Sequence, residues 1–436
     1  MKSLVTYLFA CAIWTAVAQA ADAEVTTDEV SGADTTVFET PESIAELRER
    51  VQRNEEMLLN RNPKLQWSGY VDVGFFAPQG DGSGYVQDFS NRYGNFGWVF
   101  LGDILAPAVN SRGEVADLGN APGTDRFDSI NSRGAPGFIV NELNLRMRAA
   151  MTPTAIITAS LNITPRTGND FRLGDVMDLD IAQVEWLPTQ SQRTSLFVGK
   201  TDSVLGIEYR NRKSHQRFGV TPSLIARYTT NPAVGVKART KFGASDWLVV
   251  AMALTNGSNT WEQFHFYDEV DSNAAKTGSA RVSARLPFGV ELGLSGSYGA
   301  PDRSPSSKGT AYFAGADVQA DLGRLLVRAE FLKGKMDGRA ADDVYDLDLK
   351  GGGYLELDWL INATFGAYGR GEYRSARVWL GDERLYATKS WRATAGVRMT
   401  LSEGSALKAE YLRNGEYGGL PAVRNDVFTS SLVLSF

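Results

Sequence analysis

From Leu65 to Phe436 the chain repeats one local pattern: short stretches in which apolar and polar side chains alternate, each closed by a turn. A period of two puts alternate side chains on opposite faces of a strand. How sharply the two faces differ is what restricts the fold. Val71, Val73 and Phe75 flank Asp72. Leu143, Leu145 and Met147 stand against Glu142, Asn144, Arg146 and Arg148. Val236 and Ala238 stand against Lys237 and Arg239, and Val282, Ala284 and Leu286 against Arg281 and Arg285. Farther on, Val327 and Phe331 oppose Arg328 and Glu330, and Leu355, Leu357 and Trp359 oppose Glu356 and Asp358. Ala393, Ala395 and Val397 oppose Arg392 and Arg398, and Leu407, Ala409 and Tyr411 oppose Lys408 and Glu410.

A soluble sheet with one wet face also alternates. Two further features favour a barrel that crosses a membrane. The apolar face stays apolar in nearly every strand, and short turns such as Thr152-Pro153-Thr154 and Pro287-Phe288-Gly289 alternate with long polar loops. An Arg or Lys facing lipid costs about 2–4 kcal/mol at the bilayer midplane, so the charged faces should point inward. Charges of both signs in such number imply a wet lumen. The expected fold is all-β: a transmembrane antiparallel up-and-down barrel of about sixteen strands over residues 65–436, wide enough for an aqueous channel. That count takes Arg227–Phe242 as one long strand, the alternative being two short strands around Asn231-Pro232. The longest loop is 79–136, followed by 256–276 and 336–351, all expected on the extracellular side.

The last strand alternates cleanly. Phe428, Ser430, Leu432, Leu434 and Phe436 form one face, and Val427, Thr429, Ser431, Val433 and Ser435 the other. Its aromatic final residue resembles the terminal strand of bacterial outer-membrane barrels. That resemblance implies that Phe436 is an assembly signal and the barrel-assembly machinery a partner. Trp359, Trp379, Trp391 and Tyr411 read as interfacial girdle residues.

The amino terminus reads differently. Lys2, the apolar run Leu4–Val17 and Ala18-Gln19-Ala20 give residues 1–20 the form of a secretory signal peptide, with a run too short to span a bilayer. Cys11, the sole cysteine, falls inside it, so the exported chain is expected to lack disulfides and thiol chemistry. Residues 21–41 read as a flexible linker. Residues 42–63 read as a short helix with Ile44, Leu47, Val51 and Leu58 at heptad-like spacing, ended by Pro63. It is either a linking surface helix or, in an oligomeric barrel, a small coiled coil; that the oligomer is a homotrimer is implied only by the resemblance to outer-membrane barrels. A formal charge of −6 argues against a nucleic-acid partner.

Val198-Gly199-Lys200-Thr201-Asp202-Ser203-Val204-Leu205-Gly206-Ile207-Glu208-Tyr209 is similar to a segment of the Gram-negative outer-membrane porin superfamily, including phosphate-selective-porin-like families. Val204 stands where that segment usually has Pro. Ala253-Leu254-Thr255-Asn256-Gly257 resembles a strand end in the same families. The resemblance implies a porin, with a loop after the first segment that folds into the lumen. Arg210, Arg212, Lys213 and Arg217 lie in that loop, near His215. Inside the lumen they would form a basic constriction favouring anions; outside, they would meet lipopolysaccharide phosphates or water. The inward-facing charges Arg146, Arg148, Lys237, Arg239, Arg281, Arg285, Arg328, Glu330, Glu356, Asp358, Arg392, Arg398, Lys408 and Glu410 are expected to line the lumen.

His265 and Asp268 share a loop without a readable catalytic partner, and Asp268, Glu269 and Asp271 lack calcium-loop spacing. No catalytic residue, metal site or cofactor is therefore expected. The expected function is a passive channel for small hydrophilic solutes in the outer membrane, in contact with lipid and lipopolysaccharide. The rival is a closed or plugged barrel serving adhesion or an envelope complex.

Overall fold

The computed structural model describes residues 65–79, 108–114, 130, 132, 134–164, 177–188, 193–243, 245–257, 274–300, 310–337, 346–380, 383–417 and 425–436. The expectations for residues 1–63, for His265 and for the acids of 268–271 lie outside these residues. Sixteen strands follow in order: β1 (Leu65–Gln79), β2 (Gly137–Thr152), β3 (Ala155–Ile163), β4 (Met177–Trp186), β5 (Thr194–Thr201), β6 (Ala233–Phe242), β7 (Leu248–Thr255) and β8 (Thr277–Leu286). The second half comprises β9 (Val290–Gly299), β10 (Thr310–Leu322), β11 (Leu325–Asp337), β12 (Asp346–Leu360), β13 (Phe365–Leu380), β14 (Glu383–Ser402), β15 (Ser405–Glu416) and β16 (Asp426–Ser435).

Each strand pairs antiparallel with its sequence neighbours, and β1 pairs with β16 from Tyr70↔Ser435 to Gln79↔Asp426, closing the barrel. Closure leaves no strand edge unpaired. The seam ends on Phe436, whose N–H donates to the Gly69 carbonyl at 3.0 Å while the Gly69 N–H donates back at 3.1 Å. Gly69 is required there, because a Cβ would lie 2.3 Å from the Asn144 carbonyl oxygen and 2.7 Å from Phe436 Cζ.

The alternation read from the sequence is the alternation of the wall. Leu294, Val397, Leu357 and Phe428 are exposed on the outside, while Asp72, Thr429, Ser431, Arg328 and Glu356 are buried on the inside. Outward aromatic side chains lie near both ends of the wall: Trp67, Trp186, Trp359 and Phe365 by the short turns, Phe331, Trp391, Tyr411 and Phe428 towards the long loops. From Trp67 to Phe75 is about 20 Å of barrel height, at about 3.3 Å per residue and a tilt of about 40°. No helix among the described residues is long and apolar enough to cross a membrane.

Three expectations about segments change. Arg227–Phe242 is neither one strand nor two: Ala226–Thr229 is a single helical turn and β6 begins at Ala233. Pro232 cannot continue a helix and disfavours helical geometry at Asn231, so the turn ends there. Thr230 and Asn231 finish it, donating to the carbonyls of Ala226 and Arg227. The loop placed at 336–351 is shorter, since β12 already starts at Asp346. Within 79–136, residues 108–114 are not an outer loop but lie inside the wall, against Phe76, Leu412 and Val427.

Candidate functional site

The segment between β5 and β6, residues 202–232, leaves the wall and folds into the barrel. A strandless segment brings backbone N–H and C=O groups that need partners once buried. The inner wall supplies them as charged side chains. Glu330 accepts from the N–H groups of Ile207 and Glu208, each at 3.1 Å. Glu410 accepts from Val220 at 2.8 Å and Thr221 at 2.9 Å, and Glu372 from Leu224 at 2.6 Å. Cations serve the carbonyls. Lys408 donates to those of Ser214, Arg217 and Gly219, Arg398 to that of Arg217, Arg370 to those of Thr221 and Pro222, and Arg392 to that of Pro222.

These wall charges compensate one another across the strands. Arg328 bridges Asp358 at 2.6 Å and also Glu356; Arg370 joins Glu356 at 3.2 Å to Glu372 at 3.1 Å; Arg392 closes the row on Glu372 at 2.6 Å. Alternating signs make buried charge tolerable, because each group keeps an ionic or hydrogen-bonding partner. Small residues on the wall seat the apolar side chains of the loop. A Cβ at Gly366 would lie 2.4 Å from Phe218, and one at Gly352 2.5 Å from Ile225. Tyr228 stacks on Phe313 with centroids 6.0 Å apart.

All four predicted constriction residues lie inside the wall. Arg210 pairs with Glu291 on β9 at 2.9 Å. Arg212 pairs with Asp180 on β4 and with Asp202 at 2.9 Å, and Lys213 reaches Asp180 at 2.7 Å. Arg217 is buried and donates to the carbonyls of Ser111, Val220 and Arg212 at 2.9, 2.8 and 2.6 Å. His215 packs on the ring of Tyr70, with centroids 4.6 Å apart. Burial, with Lys408 and Lys213 close by, pushes its pKa down to about 3, so the imidazole is neutral at ordinary pH.

A second inward segment was not legible in the sequence. Residues 108–114 form a tight turn in which the Asn110 side chain accepts from Arg112 and Glu114 N–H. Ser111 bonds Asp72 of β1, Arg112 pairs with Glu142 of β2 at 3.0 Å, and Thr429 of β16 donates to the Val109 carbonyl at 2.6 Å. Gly113 sits against Pro222 of the long loop at positive φ, where a Cβ would be 2.9 Å from the ring. Long polar surroundings and backbone-directed bonds leave no periodic signal for such a turn.

The predicted lumen-lining residues fall into two groups. Arg328, Glu330, Glu356, Asp358, Arg392, Lys408 and Glu410, with the inward loop packed against their strands, are buried. Arg281 is also buried, between Asp317 at 2.6 Å and Glu291 at 3.0 Å. Arg398, partly buried, reaches the loop at Arg217. Across the barrel, Arg146, Arg148, Lys237, Arg239 and Arg285 keep solvent-facing surface. Arg285 is 50% exposed and lies 3.8 Å from Glu291, and Arg239 is 44% exposed and lies 3.7 Å from Glu185. Lys237 and Arg239 lie over the Phe197 ring, 4.7 and 5.5 Å from its centre. Among the described residues, no group of three or more His, Cys, Asp or Glu is arranged to hold a metal ion.

No family model and no curated protein matches the chain. Solved structures do. The outer membrane channel DcaP of Acinetobacter baumannii superposes with a TM-score of 0.51 at 11% identity, covering 85% of this chain and 97% of that one. OmpF of Salmonella typhi, in a complex with daunomycin, gives 0.51 at 9% identity with the same coverage. A loop L8 deletion mutant of OmpT, an outer membrane protein of Vibrio cholerae, gives 0.50 at 8% identity, covering 85% and 99%. At these identities the likeness is one of fold: the chain is a porin-like, sixteen-strand β-barrel.

Proposed function

We propose that this barrel is an outer-membrane porin, a passive diffusion channel for small hydrophilic solutes with a preference for anions. The observation that carries the reading is the distribution of inward charge. The loop and the wall from β11 to β15 neutralise each other, whereas the opposite wall keeps the half-exposed cations Arg239 and Arg285, with Arg146, Arg148 and Lys237 on the same faces, against the half-exposed carboxylate Asp178, which lies 3.5 Å from Lys200. A solute passing the loop would meet that cationic wall, where an anion is favoured electrostatically. Arg210, 32% exposed beside Glu291, would contribute from the loop side. The work is positional, with no covalent step and no cofactor.

In this reading, residues 1–20 direct export, Phe436 is read by the assembly machinery, and the outward apolar band meets lipid and lipopolysaccharide. The short turns face the periplasm and the long loops the exterior. The heptad-like spacing in 42–63 would support a homotrimer.

A second reading is favoured by one observation. The loop reaches β3, β4, β6, β9 to β15 and β1, and residues 108–114 fill beside it, as a plug would. A plugged barrel would serve adhesion or an envelope complex. Single-channel recording of the purified protein in a planar bilayer separates the two: the channel reading expects discrete openings, and their absence under all voltages leaves only the plug.

A further inference from the structure

An aromatic ring lies among the inward charges on the open side of the barrel. Phe197 stands near the middle of β5. Its neighbour Val198 is exposed on the outside, whereas Phe197 itself is buried on the inside. The strand register sets what surrounds it. Glu185 of β4 lies opposite it on one side and Lys237 of β6 on the other. Arg239, two positions on, shares the inner face with Lys237. The Lys237 ammonium rests 4.7 Å from the ring centre and the Arg239 guanidinium 5.5 Å. Towards β7, the register partners of Lys237 and Arg239 are Ala253 and Ala251, which carry no charge.

The ring therefore stands between a carboxylate and two cations. Two strand steps of about 4.8 Å separate the backbones of Glu185 and Lys237, a gap that the two side chains are long enough to close. Contact with a carboxylate cancels most of the field that a cation sends into a lumen, as it does where Arg328 meets Glu356 and Asp358. The face of a ring acts differently. Its quadrupole attracts a cation and leaves the net charge in place. With Phe197 in the gap, Lys237 settles over the ring and donates to the Asp202 carbonyl, a neutral acceptor, at 3.1 Å. Arg239 stops 3.7 Å from Glu185, with nearly half of its side chain exposed.

We infer that Phe197 sets the charge preference of the proposed channel without touching the solute. Its ring holds Lys237 apart from Glu185 and keeps Arg239 out of hydrogen-bonding contact with that carboxylate, so the charge of both cations stays available to a passing anion. Phe197 is a positioning residue: the solute meets the cations, and the ring lies buried beneath them. The inference rests on the anion preference proposed above, and it assigns part of that preference to an uncharged side chain.

The test measures reversal potentials in a potassium chloride gradient for the wild type, Phe197→Leu, Phe197→Tyr, Glu185→Gln and the double variant Phe197→Leu/Glu185→Gln. The wild type should prefer chloride. Phe197→Leu should lower the chloride-to-potassium permeability ratio by at least about twofold, because the cations fall onto Glu185. Phe197→Tyr keeps a ring face and should keep the wild-type ratio. Glu185→Gln should raise the ratio more on top of Phe197→Leu than alone, a coupling that a merely structural role for the ring would not produce. If Phe197→Leu does not assemble, Phe197→Met, which fills the space without a ring face, carries the same expectations. A wild-type ratio in the assembled variant, or equal effects of Glu185→Gln in both backgrounds, overturns the inference while the anion reading stands. A wild type without chloride preference overturns that reading, and the inference with it.

Discussion

Arg217 donates to the carbonyl of Ser111 at 2.9 Å, joining two inward segments that come from different loops of the barrel. The same guanidinium holds the carbonyls of Val220 and Arg212. Replacing Arg217 with Ala leaves three buried acceptors without that donor, each at a cost of about 1–3 kcal/mol. Both segments should loosen together. Recordings of Arg217→Ala should show larger and noisier openings than the wild type; identical openings would mean that the two segments hold without this link.

Gly206 turns at φ +64, and a Cβ there would fall within 1.8 Å of the Glu330 carboxylate. Gly206→Ala therefore adds backbone strain of about 1–3 kcal/mol and displaces the acceptor for Ile207 and Glu208. Glu330→Gln keeps the shape but replaces one carboxyl oxygen with an amide NH2, a donor beside the Ile207 and Glu208 N–H groups. Protease accessibility of the loop in folded barrels should rise most in Gly206→Ala, less in Glu330→Gln, and remain low in the wild type.

The His215 pKa lies below its ordinary value. A base depressed in the folded state favours the native form above its unfolded pKa, about 6.5, and that contribution disappears as pH falls towards 3. Acid should therefore unseat the loop, because a charged imidazole would lie buried near Lys408 and Lys213. Openings should change between about pH 6 and 3 in the wild type, and His215→Phe should remove that component. A wild-type response centred well above pH 6.5 contradicts the assignment.

On the outside, Leu294 is 69% exposed in the middle of β9. Leu294→Arg should destabilise the barrel in lipid by about 2–4 kcal/mol. Ser297→Arg, three strand positions along and so on the inner face, should cost less. Urea midpoints in lipid vesicles give the comparison; equal shifts would place neither face against lipid.

Much of the wall was legible because lipid and interior demand different side chains, so Phe428 and Thr429 could be assigned to opposite faces from sequence alone. The inward loop was visible only as a resemblance around Gly206 and as a basic cluster. Its apolar members Leu205, Ile207, Phe218 and Ile225 carry no period, and their seats are wall glycines distant in sequence, such as Gly352 and Gly366. Nor could sequence show that Glu330, Glu410 and Lys408 would solvate a backbone instead of water, since every residue type but proline offers the same N–H and C=O. The turn at 108–114 was hidden for the same reason, its bonds being spent on Asp72, Glu142 and Thr429 through local geometry.

If the seated loop leaves a passage along the side of the barrel that carries Arg239 and Arg285, as proposed, that passage favours chloride over potassium. The reversal potential across a planar bilayer holding a potassium chloride gradient tests it most directly. The expected potential has the sign given by chloride preference and is reduced when Arg239 and Arg285 are both changed to Gln. A potential of cation-selective sign, or one unmoved by that double change, contradicts it.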